Sequence, residues 1–247
     1  MSFSFQKFLS FLGVCILVAI VVSALTYRAT ETSSQVDLDF PDTLVLQMRD
    51  ETKTSTLTLV ITQAGKVWFE VPSDLVIVDA PIRRTAADLA GGILTDAVRS
   101  NFSTLLQHDE VDVWQLDANA LAALVEVVDG YELDGRTLDG NETIAELRIG
   151  EPGDAARFAK MWRYVAANLD AGQLTEVLAN LGSTSRSNRS IEDLVSYFGS
   201  MQATFQSNSI SLREVKCIEG SVNGTIGLYL KEKSRLAILR SIEEGRT

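Results

Sequence analysis

Basic side chains near residue 150 are the residues whose types and spacing could bind phosphate. Arg157 and Lys160 lie three positions apart, so a helix would carry both on one face. Arg148 precedes them, at the expected end of a strand. A guanidinium is a planar fork of N–H donors that matches phosphate oxygens. The shared face is either an anion-binding face or the solvated side of an amphipathic helix, and spacing alone leaves both readings open.

Composition excludes several other classes of function. The net charge of −11 argues against nucleic acid, so an anionic ligand would need a local group of Arg residues. The chain has one His, and Cys217 is the only Cys outside the hydrophobic segment that holds Cys15, which argues against a zinc site. There is no phosphate-binding Gly-rich loop and no dinucleotide fingerprint.

The elements that must position these side chains alternate between strands and helices. Residues 44–48, 56–61, 66–71 and 111–116 are rich in Val, Leu, Ile and Thr, as strands are, and a turn at residues 63–65 would make the second and third a hairpin. Helical spacing and caps predict helices at residues 117–128, 154–169, 173–181 and 191–205. Late strands at 210–215 and 227–229 precede a charged helix. This alternation predicts a layered α/β domain with Trp114 and Trp162 in its core.

The N-terminal segment predicts a membrane anchor. Residues 8–25 are eighteen uncharged residues between Lys7 and Arg28, long enough to reach roughly 27 Å as a helix. We therefore expect a cytoplasmic tail at 1–7, a transmembrane helix at 8–27, a stalk at 28–39 and an extracytoplasmic domain at 40–247. The alternative is a signal peptide cleaved near Ala24, which would also export the domain.

Five motifs follow one another in a fixed order. Residues 54–61 and the turn VPSD at 71–74 come first. The block VDVWQLD at 111–117 then leads through a helix to VVDGYEL at 127–133. Next come LDGNETIAELR at 138–148 and GDAARFAK at 153–160. In order and spacing these segments resemble the LytR–CpsA–Psr family, over about half of the chain.

The resemblance implies a fold and an activity. Proteins of this family have a layered α-β-α domain with a mixed central sheet, anchored outside the cytoplasmic membrane. They transfer glycopolymers from polyprenyl-pyrophosphate carriers to peptidoglycan, with an apolar tunnel for the lipid and with Arg and Mg²⁺ at the pyrophosphate. Matching positions here give catalytic Arg148 and Arg157, pyrophosphate-binding Arg83 and Lys160, and metal-binding Asp50 and Asp74.

The chain departs from the family pattern at several of the charged positions. Ser73 stands for the turn Arg, Ser55 for the metal-side Asp, Gly150 for a second Arg and Met161 for a helix Gln. Since each lost charge-neutralising donor typically costs about 2.7–4 kcal/mol of transition-state stabilisation, the active site is expected to be degenerate. Mg²⁺ is expected to be poorly held. The alternative function is a non-catalytic polyprenyl-phosphate-binding or scaffold module at the cell surface.

Overall fold

The computed structural model describes residues 43–49, 56–62, 66–78, 84–90, 95–151, 153–207, 210–222 and 225–245. All of them belong to one compact unit, Phe40–Thr247. None of the helices in these ranges is both long enough and apolar enough to cross a membrane. The predicted anchor at residues 8–27 and two predicted site residues, Asp50 and Arg83, lie outside the described residues, as does Ser55.

A six-stranded mixed sheet forms the centre. Its strands are β1 (Thr43–Met48), β2 (Leu57–Thr62), β3 (Val67–Val71), β6 (Val111–Leu116), β9 (Ser185–Ser187) and β10 (Ser211–Glu214). Across the sheet their order is β10-β3-β2-β1-β6-β9. β1 is parallel to β6 and β3 is parallel to β10, whereas β2 is antiparallel to both of its neighbours, as the predicted hairpin requires. The carboxyl ends of β1, β3, β6 and β10 therefore lie at the same end of the sheet.

Helices cover both faces of this sheet. They are α1 (Ala86–Ala90), α2 (Thr95–Leu106), α3 (Ala118–Val127), α4 (Gly140–Glu146), α5 (Asp154–Asn168), α6 (Ala171–Leu181), α7 (Ile191–Gln206) and α8 (Glu232–Gly245). Short two-stranded sheets join β4 (Val76–Val78) to β5 (Arg84–Thr85), β7 (Tyr131–Leu133) to β8 (Arg136–Leu138), and β11 (Cys217–Val222) to β12 (Thr225–Leu230).

Alternate side chains of the central strands point to two separate cores. Leu46 of β1 packs with α3, α5, α6 and α7, while Val45 packs with α1, α2 and α8. Trp114 and Trp162 are fully buried in the first core, 5.2 Å apart between ring centroids, which confirms that they are core residues. The arrangement is the expected α-β-α layering around a mixed sheet.

Polar caps fix the helix starts that matter for the site. The Asp117 carboxylate accepts the Ala120 N–H at 2.8 Å and begins α3. Asp139 and Glu142 form a reciprocal capping box that begins α4. Next to this cap α4 approaches α3 closely, because a Cβ added to Gly140 would lie 2.6 Å from the Ala122 carbonyl oxygen.

Candidate functional site

The structure brings Arg148 and Arg157 together at the junction between α4 and α5. Arg157 Nε donates to the carbonyl oxygen of Leu147 at 2.8 Å, and its Nη2 donates to the carbonyl oxygen of Arg148 at 3.1 Å. The last carbonyls of a helix have no partner within the helix. Arg157, in the first turn of α5, therefore satisfies the end of α4 and fixes the backbone from which Arg148 projects.

Arg148 was predicted to end a strand, and this is wrong. It follows the C-terminus of α4 in a left-handed turn, with φ +48°. Its side chain is 54% exposed and pairs with Glu146 at 3.0 Å. The helical spacing of Ile144 and Leu147 is the signal that strand assignment overlooked. An exposed guanidinium on a fixed backbone can turn to meet a ligand in solvent.

Carboxylates gather near the start of α5, so the junction is not uniformly basic. Asp154 is the first residue of α5, after Gly153 as the N-cap, and its Oδ2 accepts the Gly150 N–H at 2.8 Å. The sequence pattern predicts Asp154 itself as the N-cap of this helix, and the cap in the structure is one residue earlier. Burial raises the pKa of Glu70 on β3, and the charges of Glu214 and Asp154 raise it further.

Lys160 lies one turn beyond Arg157 and is exposed. It borders a cavity of about 260 Å³ between α5 and the β3–β10 edge of the sheet, lined by Trp68, Ala156, Ala159, Arg163, Ile210 and Leu212 as well. Neither Arg148 nor Arg157 lines this cavity. The predicted basic face of α5 is therefore divided, because Arg157 reaches back to α4 while Lys160 faces the sheet edge.

The turn after β3 holds Ser73 and Asp74. Ser73 Oγ donates to the Thr56 carbonyl oxygen at 2.8 Å and accepts the Thr56 N–H at 3.2 Å, so it closes the turn against the start of β2. Asp74 is exposed. Burial raises the pKa of the Cys217 thiol to about 11, and the nearby Asp74 carboxylate contributes to this shift.

Asp74 is the only predicted metal ligand within the described residues, since Asp50 lies outside them. Across the ranges that the structure describes, no three His, Cys, Asp or Glu side chains lie close enough together to hold a metal ion. The Mg²⁺ site predicted from Asp50 and Asp74 therefore stays a prediction.

Sequence reasoning missed Arg49 at the carboxyl end of β1. Its side chain is 1% exposed; Nη2 donates to the Ser183 carbonyl oxygen at 2.8 Å and lies 3.9 Å from Asp117 Oδ2. Ligands of open α/β sheets bind outside the carboxyl ends of parallel strands, where β1 and β6 end here. A charged residue directly after a mostly apolar strand was the signal that could have identified it.

A second buried charge lies on β6. Asp112 is 4% exposed, and its carboxylate accepts from Asn188 Nδ2 at 2.5 Å and from Arg189 Nε at 2.6 Å. Burial, reinforced by the Asp112 charge, raises the pKa of Tyr197. The hydrogen bonds of Asp112 connect β6 to the segment between β9 and α7, beside the first core.

Comparison with known proteins rests on the fold. No family model and no curated protein sequence matches this chain. Among solved structures, the transcriptional regulator EF0465 from Enterococcus faecalis has 15% sequence identity and a TM-score of 0.65, over 86% of this chain and 90% of that one. TagV from Bacillus subtilis has 12% identity and a TM-score of 0.61, over 82% and 96%.

TagT bound to LIIa-WTA is also similar, with 14% identity and a TM-score of 0.59 over 82% of this chain and 89% of that one. TagV and TagT are LytR–CpsA–Psr proteins. The domain therefore has the LytR–CpsA–Psr fold. The resemblance deduced from the five motifs is confirmed at the level of the fold, and the roles of Arg148 and Arg157 stay predictions.

Proposed function

We propose that this domain binds the phosphate-bearing head of a polyprenyl-linked glycopolymer at the outer face of a membrane. The LytR–CpsA–Psr fold supports this proposal, and TagT, which shares the fold, has been solved bound to LIIa-WTA, a wall teichoic acid ligand. The uncharged segment at residues 8–25 supports the location. Peptidoglycan is the proposed acceptor if the domain also transfers the polymer.

The observation that carries the proposal is the bonding of Arg157 to the backbone of Leu147 and Arg148. This bonding fixes the backbone of Arg148, while the Arg148 guanidinium lies at the protein surface. The Arg148–Glu146 pair is exposed, and such pairs are worth only about 0–1 kcal/mol. A phosphate group can therefore replace Glu146 at little cost and gain a bidentate guanidinium contact.

Arg157 is then a positioning residue more than a ligand contact. Two of its donor nitrogens are already engaged with main-chain carbonyls. Whether Mg²⁺ takes part is left to the test below, since Asp50, one of the two predicted ligands, lies outside the described residues.

One observation favours the second candidate function, binding without transfer. Ser73 stands where the family turn has Arg, and its hydroxyl is used to close the turn on Thr56. A phosphate-neutralising donor is thus replaced by a structural hydrogen bond. Catalysis of phosphoryl transfer depends on neutralising developing charge, whereas binding requires less.

The test uses the full chain in mild detergent, purified from cells that make a polyprenyl-linked glycopolymer. Lipid extracts are searched for polyprenyl phosphates by mass spectrometry. A synthetic polyprenyl-pyrophosphate saccharide is then incubated with the protein, with and without Mg²⁺. Bound lipid plus cleavage that Arg148→Ala abolishes supports transfer, and bound lipid without cleavage supports the binding module. Absence of both lipid and cleavage contradicts the proposal.

A further inference from the structure

β10 is the terminal strand of the central sheet, and all four of its residues are exposed. Its inner side pairs with β3, where the Ser211 N–H donates to Lys66 at 2.8 Å and the Val215 N–H to Glu70 at 3.2 Å. Successive residues of a strand direct their N–H and C=O groups to opposite sides. The backbone groups of Leu212 and Glu214 therefore point away from the sheet, and none of the described strands pairs with them.

Cavities flank this strand on both faces. Leu212 is in register with Trp68 and borders the 260 Å³ cavity, which Lys160 and Arg163 also line. Arg213 is in register with Phe69 and borders a cavity of about 550 Å³ on the opposite face. Aliphatic parts of α8 line this second cavity, together with Lys216, Lys231, Lys233 and Arg240.

The two cavities form a basic region in an acidic protein. Seven cationic side chains line them, against two carboxylates, Glu214 and Glu232, while the whole chain has a net charge of −11. Glu232 is already paired with Arg235. Within the described part of the chain, none of the seven cations forms an ion pair. An acidic occupant would find unpaired positive charge on either side of β10.

We propose that the outer edge of β10 is a docking site for an extended acidic peptide, which adds to the sheet as a further strand. The outward N–H and C=O groups of Leu212 and Glu214 match a peptide backbone, a pairing that a polyanion without amides cannot make. Alternate side chains of the added strand would enter the two cavities. Acidic side chains would meet the cations there, and apolar ones would meet Leu212 and Leu236.

Charged residues on an edge strand also discourage pairing between copies of a protein. In this domain, however, most of the cations lie on α5 and α8 or beyond the end of β10, and only Arg213 and Glu214 are charged residues of the strand itself. The strand's outward backbone thus remains accessible while the cations line the approach on both sides.

The experiment measures fluorescence polarisation of a labelled Asp-Val-Asp-Val-Asp-Val peptide with the full chain in mild detergent. Saturable binding that weakens as salt rises is expected, because the cations contribute electrostatically. Leu212→Pro should weaken binding at least tenfold. It removes an outward N–H and leaves the bonds to β3 in place, and edge strands tolerate proline at such positions. The double variant Lys233→Glu with Arg240→Glu should weaken binding similarly, and it covers the case in which Leu212→Pro does not fold.

Arg136→Glu is the matched control, since it removes an exposed cation on β8, outside both cavities, and should leave binding unchanged. Equal binding of a peptide N-methylated at alternate amides would overturn the strand pairing. Equally tight binding of inorganic polyphosphate would show that the region binds polyanions in general, which contradicts the peptide site. The proposal would also be overturned by the absence of saturable binding. Self-association of the chain that prevents peptide binding would overturn it as well.

Discussion

Arg49 and Asp117 face each other where the parallel strands β1 and β6 end, with Arg49 Nη2 3.9 Å from Asp117 Oδ2. The Arg49 side chain is 1% exposed, whereas Asp117 is 25% exposed and also caps α3. The pair therefore connects the sheet to the start of a helix. It lies at the carboxyl end of the parallel strands, where open α/β sheets bind their ligands.

Asp117→Asn should destabilise the protein through the loss of this charge, because asparagine retains the capping ability of aspartate. In an Arg49→Met background the same change should have almost no effect. The coupling free energy is expected to be about 0.5–3 kcal/mol, as for contacting residues in other proteins. Urea unfolding of the four proteins gives this value. Strict additivity would show that the two charges do not interact.

Arg157→Ala should lower the free energy of unfolding by about 1–3 kcal/mol, because two charge-assisted hydrogen bonds to the end of α4 are lost. Arg148→Ala is the control and should change stability by less than about 0.5 kcal/mol, since its side chain is exposed. Both variants should lose polyprenyl-phosphate binding. An Arg157→Ala protein of native stability that has lost the ligand would instead identify Arg157 as a direct contact.

Sequence predicted most of the framework, because its strands and helices have strong local signals. The predicted strand at residues 111–116 is β6 without change, and the helix predicted at 191–205 is α7, which begins at a capping box of Ser190 with Asp193. The elements that were missed are short or lack such a pattern: β9 has three polar residues, and α4 follows a turn-rich segment. Their formation depends on tertiary partners, which local sequence does not contain.

The candidate site was less predictable than the fold. Arg148 and Arg157 were identified by motif order, but nothing local indicated that Arg157 would bond to the main chain of α4. Arg49 was missed since burial of an Arg depends on Ser183 and Asp117, which are distant in sequence. Side-chain roles at a site follow from long-range contacts, which spacing alone does not determine.

Gly140→Ala should destabilise the protein by about 1–3 kcal/mol, a usual cost of overpacking. The new Cβ would lie 2.6 Å from the Ala122 carbonyl oxygen and 2.8 Å from the Ala122 Cβ, so α3 and α4 must separate. Gly199→Ala in α7 has open space and should stabilise by up to about 1 kcal/mol through helix propensity. Thermal unfolding followed by circular dichroism compares them, and equal midpoints would contradict the close approach of the two helices.

Cys217 should react slowly with iodoacetamide, because only the thiolate reacts and burial raises the thiol pKa to about 11. At pH 9 about 1% of such a thiol is ionised, against about half of a thiol with the ordinary pKa of 9.0. Asp74→Asn removes a nearby negative charge, so the pKa falls and alkylation at pH 9 becomes faster. Mass spectrometry of a Cys15→Ser background measures the rates. An unchanged rate in Asp74→Asn would show that the Asp74 charge does not affect the thiol pKa.

The positions of the three tryptophans give the protein two optical reporters. Trp114 and Trp162 form an edge-to-face pair deep in the first core, and Trp68 is buried in the same core but also lines the cavity beside Leu212. Emission from the buried pair should follow the integrity of the fold, and emission from Trp68 should respond to events at the sheet edge. A chain in which the buried pair is replaced by phenylalanine would therefore report docking with its own intrinsic fluorescence, without an attached dye.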